Sequence, residues 1–236
     1  MSSASSAEPR AAAVVVAGGS GRRVGGPVRK QYLALAGELI LLRAVRPFLD
    51  HPRIRHTVVV IPPDDADDPP GWLSHLPITL VPGGAERGDS VWNGLSALPD
   101  DVDLVLIHDG ARPFVSQGVI DRVLDACRDA GAVAAVPVTD TIKEVDDAGT
   151  ITGTPERGRL WQAQTPQGFP RAGIVRAYEL ARAEGVAATD DAALYERYAG
   201  PVRVVMGSYR NLKVTRRADL AVAEALALAP EAGESE

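Results

Sequence analysis

A single cysteine, 5% aromatic residues and no long apolar run characterise this 236-residue chain by what it lacks. One cysteine rules out a disulfide within the chain and any cysteine-rich zinc site. Cys127, in "VIDRVLDACRDAG", sits at helical spacing with Val123 and Leu124 and reads as a small buried apolar residue. With so few aromatics the core must be built from Ala, Val, Leu and Ile. No segment has the length needed to span a membrane, and "MSSASSAEPR" has no hydrophobic signal core, so the cytoplasm is the expected location and no membrane partner is expected. A basic excess is missing too. The net charge of -6 argues against binding nucleic acid through a basic surface, but not against binding phosphate where cations are gathered in one place. No Pro/Gly/Ser linker divides the chain and no internal repeat is visible. One domain over 11–228 is therefore expected, between a disordered segment 1–10 and a frayed acidic tail 229–236.

What is there is an alternation of short apolar runs and helical patterns. "AAAVVVA", "HTVVVIPP", "ITLVPGG", "VDLVLIHDG", "GAVAAVPV" and "PVRVVMG" read as strands, several of them buried on both faces. "LILLRAVRPFLD", "RGDSVWNGLSAL", "SQGVIDRVLDACRDAG", "RAGIVRAYELARAEG", "TDDAALYERYAG" and "RRADLAVAEALALA" read as helices. In the third of these Ser116 is placed to cap the helix and Gly131 to end it. The alternation predicts an α/β fold: a mostly parallel sheet with helices on both faces. Thr141 to Gln167 breaks the pattern. It has no long amphipathic helix and carries β-branched residues around a turn-rich "DDAG". This reads as a β-hairpin followed by an extended strand, an arm at about 139–167 projecting from the sheet; the alternative is a meandering surface loop.

Chemistry is expected where parallel strands end. "AAAVVVAGGSGRRVGGPVRKQYL" closes a strand with glycines and then gathers Arg22, Arg23, Arg29 and Lys30. It lacks the G-x-x-x-x-G-K-[ST] pattern, and Val24 stands where a dinucleotide loop needs a small residue. A glycine turn closed by cations instead suits a highly charged phosphate chain, with Gly18, Gly19 and Gly21 bringing backbone close to it. Asp109 ends another strand and is placed to bind Mg²⁺ together with phosphate oxygens; Arg112 follows it. Lys213 lies in the loop after the last strand. "PGGAERGDSV" supplies a second glycine turn before a helix. His108 reads as structural, or as a support for residues that touch substrate. His51, His56 and His75 have no assigned role.

The blocks "AGGSGRRVGGPVRKQYL", "PGGAERGDSV", "HDGARPF", "PVTDTIK", "TPERGRLWQAQTPQGF", "ATDDAALYE" and "NLKVTRRADL", in this order, resemble the 2-C-methyl-D-erythritol 4-phosphate cytidylyltransferases, from about Ala13 to Leu220. The resemblance implies a Rossmann-like nucleotidyltransferase fold and a homodimer that exchanges its β-arm. It implies cytidylyl transfer from CTP to methylerythritol phosphate in non-mevalonate isoprenoid synthesis, with Mg²⁺. By the same resemblance Arg23, Lys30 and Lys213 are catalytic, and Ala17, Gly18, Gly19 and Gly21 line the phosphates. Gly84 and Ser90 read cytosine, and Gly110 lies beside the ribose. Arg112, Thr165 and Thr189 contact the acceptor, while Thr141 and Arg157 complete the neighbouring subunit's pocket. Val16, Gly18 and Gly110 depart from the usual pattern, where proline, alanine and alanine stand. The alternatives are a ribitol-5-phosphate cytidylyltransferase, an NAD-binding oxidoreductase and a noncatalytic nucleotide-binding protein on the same fold.

Overall fold

The computed structural model describes residues 8–19, 29–186 and 190–229. Seven strands form the main sheet: β1 (Ala11–Val16), β2 (Ile54–Ile61), β3 (Thr79–Pro82), β4 (Leu104–Asp109), β5 (Gly131–Pro137), β6 (Trp161–Pro170) and β7 (Val202–Met206). Among the described residues six helices of eight residues or more connect or follow them: α1 (Ile40–Leu49), α2 (Arg87–Ser96), α3 (Gln117–Ala126), α4 (Arg171–Glu184), α5 (Asp191–Tyr198) and α6 (Arg217–Leu228); a single helical turn, Gly71–Ser74, lies between β2 and β3. The strand order is β7-β5-β6-β4-β1-β2-β3. All neighbouring pairs are parallel except those of β6, which runs antiparallel to both β4 and β5.

The apolar run of β1 is divided by the two-residue period of a strand. Ala11, Ala13 and Val15 pack with Leu41, Val45 and Phe48 of α1 and with Val119, Val123 and Leu124 of α3. Ala12 and Val14 face the other way, onto Val91 and Leu95 of α2, Ile174 and Tyr178 of α4, and Leu194 and Tyr195 of α5. Both faces are therefore covered, which is why the strand reads as continuously apolar. Cys127 is fully buried in the first of these cores. Helix α6 packs separately, Ala223 against Leu35, Ile40 and Val214.

Four expectations change. Glu8–Arg10 belong to the ordered body: Arg10 N–H donates to Asp103 at 2.8 Å and Glu8 pairs with Arg53 at 3.3 Å. Helix α3 does begin at Ser116, whose hydroxyl accepts from Val119 N–H, but it stops at Ala126 with Cys127 as its last cap. Gly131 opens β5 instead of closing the helix. The hairpin around "DDAG" is present as Glu144–Val145 paired with Ile151–Gly153, and residues 139–152 are all exposed. The extended strand after it, however, does not continue an arm to Gln167. From Trp161 onward the chain enters the main sheet between β5 and β4, and Gln164 to Phe169 are buried. Residue 229 caps α6, and 230–236 lie outside the described residues, as do 1–7. Among the described residues no helix is long and apolar enough to cross a membrane.

Candidate active site

The order β4-β1-β2-β3 means that the chain builds outward from β1 to β3 and then returns to β1's other side. That reversal opens a crevice at the carboxyl ends of β1 and β4, the usual ligand position in an open α/β sheet. Val16 and Asp109 are register partners at that edge. A cleft of about 610 Å³ lies there. Its walls are the first glycine turn (Val16 to Gly19), the second (Gly84 to Arg87), the Asp109–Ala111 turn, Arg29 to Gln31, and Lys213. Of the residues anticipated from sequence, Ala17, Gly18, Gly19, Lys30, Gly84, Ser90, Asp109, Gly110 and Lys213 line it together. Arg23, Gly21 and Thr189 lie outside the described residues.

Asp109 is the electrostatic centre. One carboxylate oxygen is 2.8 Å from Lys213 Nζ and 3.7 Å from Arg112 Nε; the other is 3.3 Å from Arg87 Nε. Burial alone would raise its pKa, but Arg87, Lys213 and Arg112 together hold it well below the usual carboxylate range. The carboxylate is thus ionised and its charge is matched by three cations.

A relay of hydrogen bonds fixes this turn from behind. Asp109 N–H donates to Thr165 Oγ1 at 3.0 Å, the Thr165 hydroxyl lies 3.0 Å from His108 Nδ1, and His108 Nε2 lies 3.1 Å from the Arg112 carbonyl. Only one neutral tautomer satisfies all three. The imidazole is neutral, its Nε2–H donates to Arg112 O, and Thr165 donates to Nδ1. Complete burial supports this by pushing the His108 pKa down to about 4. His108 is therefore a support for Asp109 and Arg112, as anticipated. Thr165 requires a correction: it is buried, with its hydroxyl engaged in the relay, so it positions Asp109 instead of offering a free hydroxyl to an acceptor. Arg112 does not line the cleft. Its guanidinium is drawn to Asp109 and to the Asn211 carbonyl at 2.7 Å.

The second glycine turn has its own lock. Ser90 Oγ accepts from Gly84 N–H at 3.0 Å and donates to the Glu86 carbonyl at 3.1 Å. Ser90 thereby holds the turn and has no uncommitted proton for a base. A Cβ on Gly84 would overlap Cβ of Asp89, so only glycine fits. Gly110 is also sterically required here. A Cβ would come within 2.9 Å of Ala17 Cβ and 3.0 Å of Leu41 Cδ1, so alanine would not be a neutral exchange in this chain. Val16, in place of a proline, ends β1 with its carbonyl accepting from Gly110 N–H at 2.9 Å.

Thr141 and Arg157 do not line the cleft. Thr141 is exposed, and Arg157 donates to the Thr139 carbonyl at 2.6 Å. Sequence reasoning also missed several residues. Arg87 donates to both oxygens of fully buried Asp191, at 2.8 and 3.0 Å, and Tyr178 OH adds a third hydrogen bond at 2.5 Å. Burial works against the Arg87 charge, but Asp191 and then Asp109 hold its pKa above the ordinary value. The only signal was Arg87's place beside a glycine turn. Gln31 and Asn211, buried amides in "RKQYL" and "NLKV", were likewise passed over.

Comparison with known proteins identifies the family. The family model for 2-C-methyl-D-erythritol 4-phosphate cytidylyltransferase matches residues 11–228. A protein of that name from Symbiobacterium thermophilum is 44% identical over 216 residues, covering 90% of this chain and 91% of the relative. One from Geotalea uraniireducens is 46% identical over 227 residues, covering 92% and 96%. Among solved structures, the 4-diphosphocytidyl-2C-methyl-D-erythritol synthase of Anaerococcus prevotii superposes with a TM-score of 0.81 at 31% identity, covering 92% of this chain and 95% of that one. The cytidylyltransferase of Thermus thermophilus superposes with a TM-score of 0.76 at 35% identity, covering 91% and 97%. The chain belongs to the 2-C-methyl-D-erythritol 4-phosphate cytidylyltransferase family.

Proposed function

We propose that the cleft carries out the reaction for which the family is named, and that the residues gathered around Asp109 perform it. The chain transfers the cytidylyl group of CTP to 2-C-methyl-D-erythritol 4-phosphate, giving 4-diphosphocytidyl-2-C-methyl-D-erythritol and pyrophosphate. The observation that carries the assignment of the site is three cations, Arg87, Arg112 and Lys213, converging on one ionised carboxylate at the strand-reversal crevice.

The chemical problem is repulsion. A phosphate oxygen of the acceptor attacks the α-phosphorus of CTP, and both reactants are anions. Attack forms the new P–O bond and breaks the bond to the β-phosphate, so pyrophosphate leaves. No general base is needed, because the attacking phosphate is already ionised, and this leaves neutral His108 to its structural task. Catalysis of this kind is mostly positioning and charge stabilisation. In this reading Lys213 and Lys30 neutralise charge that develops at the α-phosphate and on the leaving group. Arg23, from the segment between the two described parts of the loop, is assigned the same work. Ala17 to Gly19 offer backbone to the phosphates, and the Gly84 turn, held by Ser90, lies against the base. Arg112, held against Asp109 from outside the cleft lining, is assigned to the acceptor side, with Thr189 beside it.

Asp109 suits Mg²⁺ of the kind that arrives with a nucleotide. Among the described residues no group of three His, Cys, Asp or Glu side chains could hold an ion by itself. A single carboxylate facing a phosphate cleft is the usual protein share of such a site. When bound, Mg²⁺ would supply Lewis-acid polarisation of phosphate oxygens. Asp109 is the residue that would hold it.

The acceptor side is proposed to be completed in a homodimer. Thr141 and Arg157 sit on the exposed segment 139–160 away from their own chain's cleft. Ile142, Val145 and Ile151 expose apolar side chains on the same segment, which suits burial against a second copy. A pyrophosphate-release assay with CTP, offering methylerythritol phosphate and ribitol 5-phosphate in parallel, tests the function. Release with the first acceptor is expected; preference for the second would overturn the acceptor, and release with neither would overturn the reaction.

A further inference from the structure

Gln31 sits on a short 3-10 turn, Lys30–Tyr32, in the wall of the cleft, yet its side chain is 3% exposed. Its amide nitrogen lies 3.0 Å from the Ala17 carbonyl and 3.1 Å from the Gly19 carbonyl. A carboxamide carries two N–H hydrogens, and these two acceptors use both. The turn that presents it is itself held at both sides. Lys30 Nζ donates to the Val214 carbonyl at 2.7 Å, and Tyr32 OH donates to Asp65 at 2.7 Å.

We infer that Gln31 is a positioning residue for the nucleotide: its amide turns the carbonyls of the first glycine turn away from the incoming triphosphate. Peptide planarity supplies the mechanism. In a trans peptide the C=O and the following N–H point in opposite directions. Fixing the Ala17 carbonyl on Gln31 therefore fixes the Gly18 N–H on the other side. Glycines 18 and 19 have broad backbone freedom, and without a clamp they would rotate carbonyl dipoles toward the phosphates as readily as away. Its nearest substitutes would not do this work. Glutamate has the length but no donor at neutral pH, methionine has the shape but no polar hydrogen, and asparagine is one methylene short of spanning both carbonyls.

The inference rests on the assignment of this cleft to CTP, and two variants separate the two claims. Steady-state kinetics and calorimetric CTP titration would be run on the parent, Gln31→Met and Gln31→Glu. In Gln31→Met the KM for CTP is expected to rise about tenfold, with the KM for the acceptor within twofold. Gln31→Glu should be worse for CTP, because a carboxylate would face both carbonyls and the triphosphate. A purely structural role would instead lower the amount of active protein, reducing the apparent kcat of both variants with the two KM values unchanged. That result, or a CTP affinity within twofold of the parent in both variants, would overturn the inference. If the parent itself failed to bind CTP in the same titration, the functional assignment would fall before this one was reached.

Discussion

Replacing Asp191 with Asn should destabilise the fold more than any other single change of a polar group in this region. Asp191 is fully buried and receives three hydrogen bonds, two from Arg87 and one from Tyr178. Asn keeps the shape but removes the charge, and it turns an N–H₂ toward a guanidinium or a phenol that already donates. Removing one partner of a buried ion pair typically costs about 3–5 kcal/mol, chiefly because the other charge is left uncompensated. The side chain of Arg87 is 31% exposed and keeps Asp109 at 3.3 Å, so the low end, about 3 kcal/mol, is the appropriate figure. For a domain of this size that is a melting temperature lower by roughly 6–12 °C. Differential scanning calorimetry of the parent, Asp191→Asn, Arg87→Gln and the double variant measures it. The double variant replaces the ion pair with two amides able to pair with each other. It should recover part of the loss, with a coupling of about 1.5 kcal/mol or more. If Asp191→Asn melted within 1 °C of the parent, or the two losses simply added, the pair would not be the linchpin described here.

Four further outcomes follow from the same geometry. Lys213→Ala should lower turnover about 10²–10³-fold while leaving the melting temperature near that of the parent, because it removes a preorganised charge from a side chain that is 39% exposed; turnover like the parent's would remove Lys213 from the mechanism. Gly84→Ala should cost about 1–3 kcal/mol and weaken CTP binding, since the new methyl overlaps Asp89, and an unshifted urea midpoint would contradict the packing. His108 is neutral when folded, with a pKa pushed down to about 4 from 6.5, so the unfolded chain takes up its proton first on acidification. Its stabilising contribution is complete above pH 6.5 and is lost toward pH 4. Between pH 7 and 5 the parent should lose about 2 kcal/mol more in urea unfolding than His108→Gln, and parallel losses would refute the assignment. Finally, Arg157→Ala and Lys213→Ala subunits, each inactive alone, should regain activity when mixed into heterodimers; confirmed heterodimers without activity would count against a shared site.

The parts of the site legible in the sequence are those in which one residue and its immediate neighbours set the chemistry. Asp109 ends a strand whose apolar run announces itself, Gly84 precedes a helix, and Gly18 and Gly19 follow β1. Alternating strands and helices announce a parallel sheet, though not the strand order that brings these ends together. Arg87 and Asp191 were not legible because their contact spans 104 positions and exists only once α5 is laid beside α2. In isolation "ERGDSV" reads as the charged start of a surface helix. Strand β6 was misplaced for a different reason. "WQAQTPQGFP" has three glutamines and no continuous apolar run, so it looks like an exposed continuation of the hairpin. Gln162 stays exposed, but Gln164 and Gln167 are buried because their amides are satisfied. Gln164 donates to the Ser208 carbonyl at 2.9 Å, while Gln167 donates to Asp190 and accepts from Ala192 N–H. Periodicity carries no information about whether a polar side chain will find partners.

Those glutamines point to a shared device. Four buried carboxamides each fasten a segment of the cleft or of its support. Gln31 holds the first glycine turn and Gln164 the loop ahead of Lys213. Gln167 holds the start of α5 just before Asp191, and Asn211 joins the Thr165 carbonyl to the loop that carries Lys213, at 2.8 Å. An amide suits this work because it donates and accepts while adding no charge. A carboxylate in any of these places would oppose the triphosphate, and an ammonium would compete with Lys213 for Asp109, both in a setting where charges are weakly screened. The net charge of the cleft is thereby left to the residues that face the nucleotide, and their placement to neutral groups behind them. This division of labour explains why Arg23 and Lys30 are candidates in the sequence while the groups that shape the cleft are not: those cations follow a glycine turn, whereas the amides are recognisable only by the partners the fold brings to them.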